Sequence, residues 1–376
     1  MPMTWKVKYE RLGNFLQHIV AVVSRGVAFL GRTRIMVGVG ILSITLLAFT
    51  LIAETDQQGE VSFNRNFGSN VSAPSAVADS SLLPCFARDT VYFVLCNGKS
   101  IRVEIRVARL ADASTRRKML LLLPGWNYAD TQWCTRTRVC AEALKRGYDV
   151  LLVEMGKSVY MDSLYPQMRA DYRAHPTRTW LWDSVLKPLQ LRGYFTDKRI
   201  QEDPINTPNG KVYYKSLRLP IPSFVLGLST GARGALLLAL EHPEAFQGCG
   251  GLSGDYNPLL MKSDNLMINC LGRYEAFPWR WQGSNNIVLR ADALKVPVFL
   301  AHGTSDKVVP WAQTESLLKA IESAPGYRLR SSAFSKSNKN VGFIRSSFVK
   351  NAGHDYVFWN EAGLKALDYF DALLSD

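Results

Sequence analysis

Residues 224–236 read FVLGLSTGARGAL, and this stretch decides how the chain folds. Three apolar residues typical of a buried strand lead into small and apolar residues typical of a helix. Between them, Gly227-Leu228-Ser229-Thr230-Gly231 fits the pattern G-x-S-x-G. Small neighbours are needed where a serine sits in a sharp strand-to-helix turn, because larger side chains would clash with backbone. The stretch predicts a turn that presents Ser229 as a nucleophile. A plain glycine-rich strand-to-helix turn or a phosphate-binding loop is the alternative interpretation.

The sequence on either side of this unit alternates between strand-like and helix-like patterns. Two β-rich runs at 90–96 and 100–108 are joined by Asn97-Gly98, which predicts an antiparallel hairpin. Further strands are predicted at 118–123, 149–153, 223–226, 250–253, 296–301 and 344–349; helices at 136–146, 177–189, 232–240, 311–321 and 360–374; and a long polar loop at 191–220. This order predicts an α/β fold with a mostly parallel central sheet and helices on both faces.

A serine nucleophile needs a base, and a histidine base needs a carboxylate to orient it. His354 lies in a loop just after the last predicted strand, whereas His302 follows the predicted strand 296–301 and is assigned a packed structural role. Asp306 follows that same strand, and Asp355, next to the histidine in sequence, is poorly placed to orient it. The order Ser229, Asp306, His354, each after a strand, predicts a catalytic triad.

The same chemistry requires two backbone N–H groups to stabilise an oxyanion. One donor is predicted at Thr230, which follows the nucleophile, and the other at Trp126 in the loop after strand 118–123, with Asn127 as second choice. Asn127, Tyr128, Trp279 and Trp281 are predicted to line a pocket for a phenolic or sugar group. Simple packing of these aromatic rings is the alternative.

Three segments resemble the esterase D and feruloyl esterase branch of the α/β-hydrolases. They are the stretch from Gly227 through Glu241-His242-Pro243-Glu244-Ala245-Phe246 to Leu252-Ser253-Gly254, HGTSDKVVP at 302–310, and GHDYVFW at 353–359. The resemblance covers about residues 115–376 and implies the α/β-hydrolase fold and ester hydrolysis through an acyl-enzyme. The chain departs from the family at Pro124-Gly125, where His-Gly is common, and at Gly231-Ala232, where two glycines are common.

The N-terminal part of the chain predicts a membrane anchor. Residues 35–53 are nineteen uncharged residues, long enough for a transmembrane helix, and residues 1–34 hold six Lys and Arg against one acid. The predicted organisation is a basic cytoplasmic segment 1–34, a transmembrane signal-anchor 35–53, a linker 54–83 and an α/β-hydrolase domain 84–376 that is periplasmic or extracellular. A cleaved signal peptide is the alternative interpretation of residues 35–53.

The composition limits the partners and cofactors. The net charge of +13 is partly concentrated at the membrane flank and otherwise scattered, which argues against nucleic-acid binding. Six cysteines follow the predicted anchor, and proximity suggests the disulfides Cys85–Cys96, Cys134–Cys140 and Cys249–Cys270, with six free thiols as the alternative. No His/Cys cluster has zinc spacing, so neither a metal nor a cofactor is expected.

The leading hypothesis is therefore a membrane-anchored serine hydrolase that cleaves small carboxylic esters, in an oligomeric state that the sequence leaves open. A serine peptidase of the same fold is one alternative. A catalytically silent hydrolase fold used for binding is another, and the presence of Ser229, Asp306 and His354 argues against it.

Overall fold

The computed structural model describes residues 88–108, 117–191, 196–199, 205–207, 210–212, 217–337 and 341–374. All of them belong to the compact unit Val61–Asp376. The predicted cytoplasmic segment 1–34, transmembrane helix 35–53 and linker 54–83 lie outside the described residues. No helix within the described ranges is long and apolar enough to cross a membrane.

A central sheet of eight strands carries the fold, in the order β1-β2-β4-β3-β9-β10-β11-β12. β1 pairs with β2 and β2 with β4 in antiparallel fashion, and every other pair in this sheet is parallel. The mostly parallel sheet predicted from the sequence is thus confirmed. Its strands are β1 Thr90–Cys96, β2 Lys99–Arg106, β3 Lys118–Leu123, β4 Tyr148–Val153, β9 Ser223–Leu228, β10 Gly248–Leu252, β11 Val298–Gly303 and β12 Ile344–Val349.

Helices cover both faces of the sheet. Those described are α1 Gln132–Thr135, α2 Val139–Lys145, α3 Arg178–Trp180, α4 Lys187–Leu191, α5 Thr230–Glu241, α6 Asn265–Leu271, α7 Pro278–Gln282, α8 Ala312–Ser323, α9 Tyr327–Ser337 and α10 Tyr356–Ala372. A π-helical segment, Leu181–Leu186, joins α3 to α4, and 3-10 turns occupy Pro258–Met261 and Val288–Ala293.

Alternate side chains of each central strand enter different cores, as strand geometry requires. Leu121 and Leu123 of β3 belong to the core that α5 and α8 cover, whereas Leu120 and Leu122 belong to the core that α2 and α10 cover. A third apolar cluster, around Met161, Met168, Met267 and Trp281, is separate from both. The two large cores hold the sheet between its helices. The third cluster is formed by two segments of the chain, one that follows β4 and one that follows β10.

Several elements differ from the sequence-based predictions. The region 191–220, predicted as a long loop, contains four short strands, β5 Thr196–Arg199, β6 Ile205–Thr207, β7 Gly210–Val212 and β8 Leu217–Pro220, which form two small sheets, β5 with β8 and β6 with β7. The last helix begins at Tyr356 rather than 360, because the Asp355 carboxylate caps it by accepting the N–H of Phe358 (2.9 Å). Helices α6, α7 and α9 were not predicted from the sequence.

The cysteines form one disulfide among the described residues, between Cys134 and Cys140. Cys249 and Cys270 are buried free thiols, so their predicted pairing is wrong. Cys96 is also a buried free thiol, which contradicts its pairing with Cys85, a residue outside the described part of the chain. Among the described residues, proximity in sequence identified the bridge between two cysteines six residues apart, and it failed for Cys249 and Cys270, which belong to different apolar clusters.

Candidate active site

Ser229 lies at the sharp turn between β9 and α5. Its backbone is in the left-handed region (φ 54°, ψ −127°), a strained conformation for a residue other than glycine. The glycines beside it are required by space: a Cβ on Gly227 would lie 2.0 Å from the Gly231 carbonyl oxygen, and one on Gly231 would lie 2.4 Å from the Leu123 carbonyl oxygen. The turn predicted from residues 224–236 is therefore present, with Ser229 at the carboxyl end of a central strand.

The structure brings Ser229, His354 and Asp306 together, although they lie far apart in sequence. Nε2 of His354 is 3.0 Å from Oγ of Ser229, and its Nδ1 is 2.7 Å from Oδ2 of Asp306. An ionised carboxylate only accepts hydrogen bonds, so Nδ1 carries the proton. Nε2 of the neutral ring then accepts the hydroxyl proton of Ser229, which is the arrangement that activates a serine.

Asp306 is held by four donors. Its Oδ1 accepts the N–H groups of Val308 (2.9 Å) and Val309 (2.8 Å), and its Oδ2 lies 3.3 Å from Nε2 of His302 as well as next to His354. Burial by itself raises the pKa of Asp306, but the hydrogen bonds from His302, His354 and the Val309 N–H outweigh it and hold that pKa well below its usual range. Asp306 is therefore ionised at neutral pH.

His302 contributes more than the packing role assigned to it from the sequence. It is fully buried; its Nε2 donates to the carbonyl oxygen of Val309 (2.9 Å), and its Nδ1 accepts from the Thr314 hydroxyl (2.7 Å). These partners fix the ring so that its N–H also faces Asp306. In the sequence His302 lies four residues before Asp306. This spacing was the available signal for their contact, but by itself it does not show that the two side chains face each other.

The two predicted oxyanion donors can be assessed from their hydrogen bonds. No hydrogen bond recorded among the described residues uses the backbone N–H of Trp126 or of Thr230, whereas Asn127 donates its N–H to the Gly156 carbonyl (2.8 Å). This favours Trp126 over Asn127 as the second donor. The Trp126 loop also lies directly against Ser229, since a Cβ on Gly125 would be 3.0 Å from the Ser229 Cβ.

The predicted pocket residues occupy different surroundings. Tyr128 packs near His354, with its ring 6.1 Å from that of Trp359, whose own ring lies 4.8 Å from the His354 ring. Trp281 is fully buried and donates its indole N–H to the Gly272 carbonyl (3.0 Å), and Trp279 is 62% exposed against Phe277. Among the described residues, no hydrogen bond or ring contact joins Trp279 or Trp281 to Ser229 or His354.

A buried ion pair beneath the turn was missed by the sequence analysis. Arg233 of α5 is fully buried and donates to the carbonyl oxygen of Asp255 (3.0 and 2.9 Å), and one of its nitrogens is 3.1 Å from the Asp255 carboxylate. Burial raises the pKa of Asp255, and the guanidinium of Arg233 acts in the opposite direction. The pair ties the helix that follows Ser229 to the loop after β10.

Comparisons with known proteins find one family model and several similar solved structures. A family model, Esterase ("Putative esterase"), matches residues 213–367. Among solved structures, an S-formylglutathione hydrolase from Agrobacterium tumefaciens has a TM-score of 0.50 and 13% identity over 76% of this chain and 95% of that one. The S-formylglutathione hydrolase FrmB of Staphylococcus aureus gives 0.49 and 15% over 75% and 97%, and the serine hydrolase FphF of Staphylococcus aureus gives 0.48 and 14% over 77% and 98%. The comparison with curated proteins finds no match.

The sheet order and the similarity to the Agrobacterium tumefaciens hydrolase define the class of the fold, an α/β-hydrolase. The family match spans Ser229, Asp306 and His354. This match supports an esterase, an enzyme that hydrolyses carboxylic esters.

Proposed function

We propose that Ser229, His354 and Asp306 are the catalytic triad of this esterase, and that it works through an acyl-enzyme. The observation that carries the proposal is the continuous chain of hydrogen bonds from Oγ of Ser229 through the imidazole of His354 to Oδ2 of Asp306 (3.0 and 2.7 Å). His354 exposes only 7% of its side chain and Asp306 none, so little water competes for these bonds.

In this proposal each group has a role. Oγ of Ser229 attacks the carbonyl carbon of the ester while His354 Nε2 takes the hydroxyl proton, and the carbonyl oxygen becomes an oxyanion next to the N–H groups of Trp126 and Thr230. His354 then gives that proton to the leaving alcohol, and the C–O bond to the alcohol breaks. Water attacks the acyl-enzyme with the same base, releasing the acid and restoring Ser229. Asp306 stabilises the imidazolium in both steps.

Labelling with a fluorophosphonate tests the proposal directly. Purified full-length protein and its Ser229→Ala variant are incubated with the probe, and p-nitrophenyl acetate hydrolysis is measured in parallel. Labelling and hydrolysis by the wild type alone are expected. A folded wild type that neither reacts with the probe nor cleaves the ester would contradict the proposal, as would a Ser229→Ala variant that keeps both activities.

The proposal also includes the location of the enzyme: a single-pass protein whose residues 35–53 span the membrane, with the hydrolase domain periplasmic or extracellular. It is supported by the uncharged stretch and the cationic flank before it. Cells that express the full chain are fractionated and the membranes washed with alkaline carbonate. The protein is expected to stay in the membranes, and a Leu46→Arg, Leu47→Arg variant to be released. Recovery of the wild-type chain in the wash would refute the anchor.

A further inference from the structure

The proposed oxyanion donor Trp126 lies in a tight turn formed by residues 125–128. The N–H of Tyr128 donates to the Gly125 carbonyl (3.2 Å), and Asn127 has a φ of 56°, as the third position of a type II β-turn requires. Trp126 occupies the second position, whose N–H takes no part in the hydrogen bond that closes such a turn. The direction of the Trp126 N–H therefore depends on the orientation of the whole turn.

The segment that follows β4 holds this turn at both ends. At one end, the N–H of Asn127 donates to the Gly156 carbonyl (2.8 Å). At the other end, the hydroxyl of Tyr160 donates to the carbonyl oxygen of Pro124 (2.8 Å), the residue that leads into the turn. Pro124 is buried, and the described part of the chain offers this oxygen no second hydrogen-bond donor. Because proline has no N–H, its carbonyl is the only backbone polar group through which the fold can hold it.

Tyr160 is itself held in a conformation that bulky residues rarely adopt. It is fully buried and its φ is 55°, in the left-handed region. Its N–H donates to Oγ of Ser158 (3.0 Å), and its carbonyl accepts from Nη1 of Arg178 (3.1 Å). Backbone strain of this kind persists only where the surroundings fix it, and it clusters at functional sites. Burial raises the pKa of Tyr160 well above its usual range, so its hydroxyl stays protonated and remains a donor.

A glycine inside helix α5 makes room for the ring of Tyr160. Gly234 lies within Thr230–Glu241, where alanine would be the better helix former. A Cβ on Gly234 would lie 2.3 Å from Cδ1 of Tyr160, so a larger residue would displace the ring. The Tyr160 side chain therefore connects the helix that follows Ser229 with the loop that precedes Trp126.

We propose that Tyr160 is a positioning residue of the oxyanion site: its hydroxyl fixes the peptide after Pro124 and thereby directs the Trp126 N–H at the oxyanion. Tyr160 touches no reacting atom and acts through Trp126. Stabilisation by such donors depends on an orientation that is set before the reaction, so without the hydroxyl the N–H would be present but poorly directed. The inference rests on the proposed function, because the oxyanion forms only if Ser229 attacks a carbonyl group.

The first test is the kinetics of Tyr160→Phe in the full-length protein, a change that removes the hydroxyl and keeps the ring. With p-nitrophenyl acetate, kcat is expected to fall about 20-fold, less than the roughly 10²–10³-fold loss of an entire donor. KM is expected to change less than about threefold, because acylation and deacylation both pass through an oxyanion and slow together. The ratio of wild-type to variant kcat should stay constant from pH 6 to 9, since the Tyr160 hydroxyl does not ionise there.

A trifluoromethyl ketone separates positioning from a general loss of structure. Oγ of Ser229 adds to the carbonyl carbon of butyl trifluoromethyl ketone, the hydroxyl proton moves to Nε2 of His354, and the ketone oxygen becomes an oxyanion that stays bound. With an isotopic label at the carbonyl carbon, an NMR titration gives the pKa of that oxygen in the adduct. Tyr160→Phe is expected to raise this pKa and to weaken inhibition by about the factor that is lost in kcat.

Tyr369→Phe is the matched control. Tyr369 is equally buried, and its hydroxyl donates to the backbone carbonyls of Gly342 (2.8 Å) and Phe343 (3.0 Å), in the core that α2 and α10 cover. This variant is expected to keep kcat and ketone inhibition within about twofold of the wild-type values. Gly234→Ala keeps the Tyr160 hydroxyl but displaces the ring, and it is expected to lower kcat and weaken inhibition together. It replaces Tyr160→Phe in the test if the melting temperature shows that Tyr160→Phe does not fold.

The outcomes separate the two proposals. A folded wild type that neither cleaves the ester nor binds the ketone would refute the proposed function itself. With an active wild type, a Tyr160→Phe variant that keeps more than half of kcat would overturn the positioning inference alone. The same holds for a variant that loses kcat but binds the ketone as tightly as the wild type, and for an equal loss of kcat in Tyr369→Phe.

Discussion

Replacement of Asp306 by asparagine tests the triad at its most constrained point. The Asp306 carboxylate accepts four donors: the N–H groups of Val308 and Val309 at Oδ1, and the rings of His354 and His302 at Oδ2. An asparagine amide can offer an oxygen to only one of these pairs. If its oxygen stays with the two backbone N–H groups, its NH₂ faces His354 and forces the proton of that ring onto Nε2, where it can no longer accept from Ser229.

Loss of the correct tautomer costs about 10⁴-fold in kcat when the geometry is otherwise kept. We therefore expect Asp306→Asn to lower kcat for p-nitrophenyl acetate by about 10⁴-fold. The kcat of the variant is measured from pH 6 to 9, and circular dichroism verifies that the variant is folded. The rate should not recover at any pH in this range, because the asparagine amide does not titrate.

Asp355→Asn is the matched control for this variant. Asp355 is adjacent to His354 in sequence, but its carboxylate caps α10 through the Phe358 N–H (2.9 Å), and asparagine is an equally good cap. Its kcat is expected to stay within about twofold of the wild-type value, since the change touches no triad hydrogen bond. An Asp306→Asn variant with more than a tenth of wild-type activity, or an inactive Asp355→Asn variant, would refute the assignment of the acid.

Three further predictions concern stability. Gly227→Ala is expected to lower the unfolding free energy by ~4 kcal/mol or more, because the new Cβ would lie 2.0 Å from the Gly231 carbonyl oxygen; denaturant titration measures it, and a loss below ~1 kcal/mol would contradict the packing argument. The Cys134→Ser, Cys140→Ser double variant should lose about 2 kcal/mol in the same titration, as expected for a short closed loop, and an unchanged midpoint would show that the bridge constrains nothing. The depressed pKa of Asp306 means that its charge stabilises the fold above its unfolded pKa of about 3.9 and that this contribution is lost as the pH falls further toward its folded pKa. The stability difference between wild type and Asp306→Asn should therefore be constant from pH 5 to 7 and shrink below about pH 4. A difference that grows on acidification would contradict the stabilising effect of the Asp306 charge.

Residues 224–236 and the alternation around them were sufficient to predict the sheet, because buried parallel strands are apolar on both faces and end where turn residues begin. The positions of Ser229, Asp306 and His354 followed from the same rule, since side chains after parallel strands gather at one edge of the sheet. The region 191–220 was predicted wrongly, because strands of three or four residues carry too little periodicity to be recognised.

The sequence by itself determined the fold class and the order of the candidate catalytic residues, because both depend on local patterns along the chain. Only the tertiary structure decided which N–H groups are available beside Ser229, that His302 faces Asp306, and that Cys249 and Cys270 do not pair. Such contacts depend on where whole elements pack, and packing of distant segments leaves no periodic signal in the sequence.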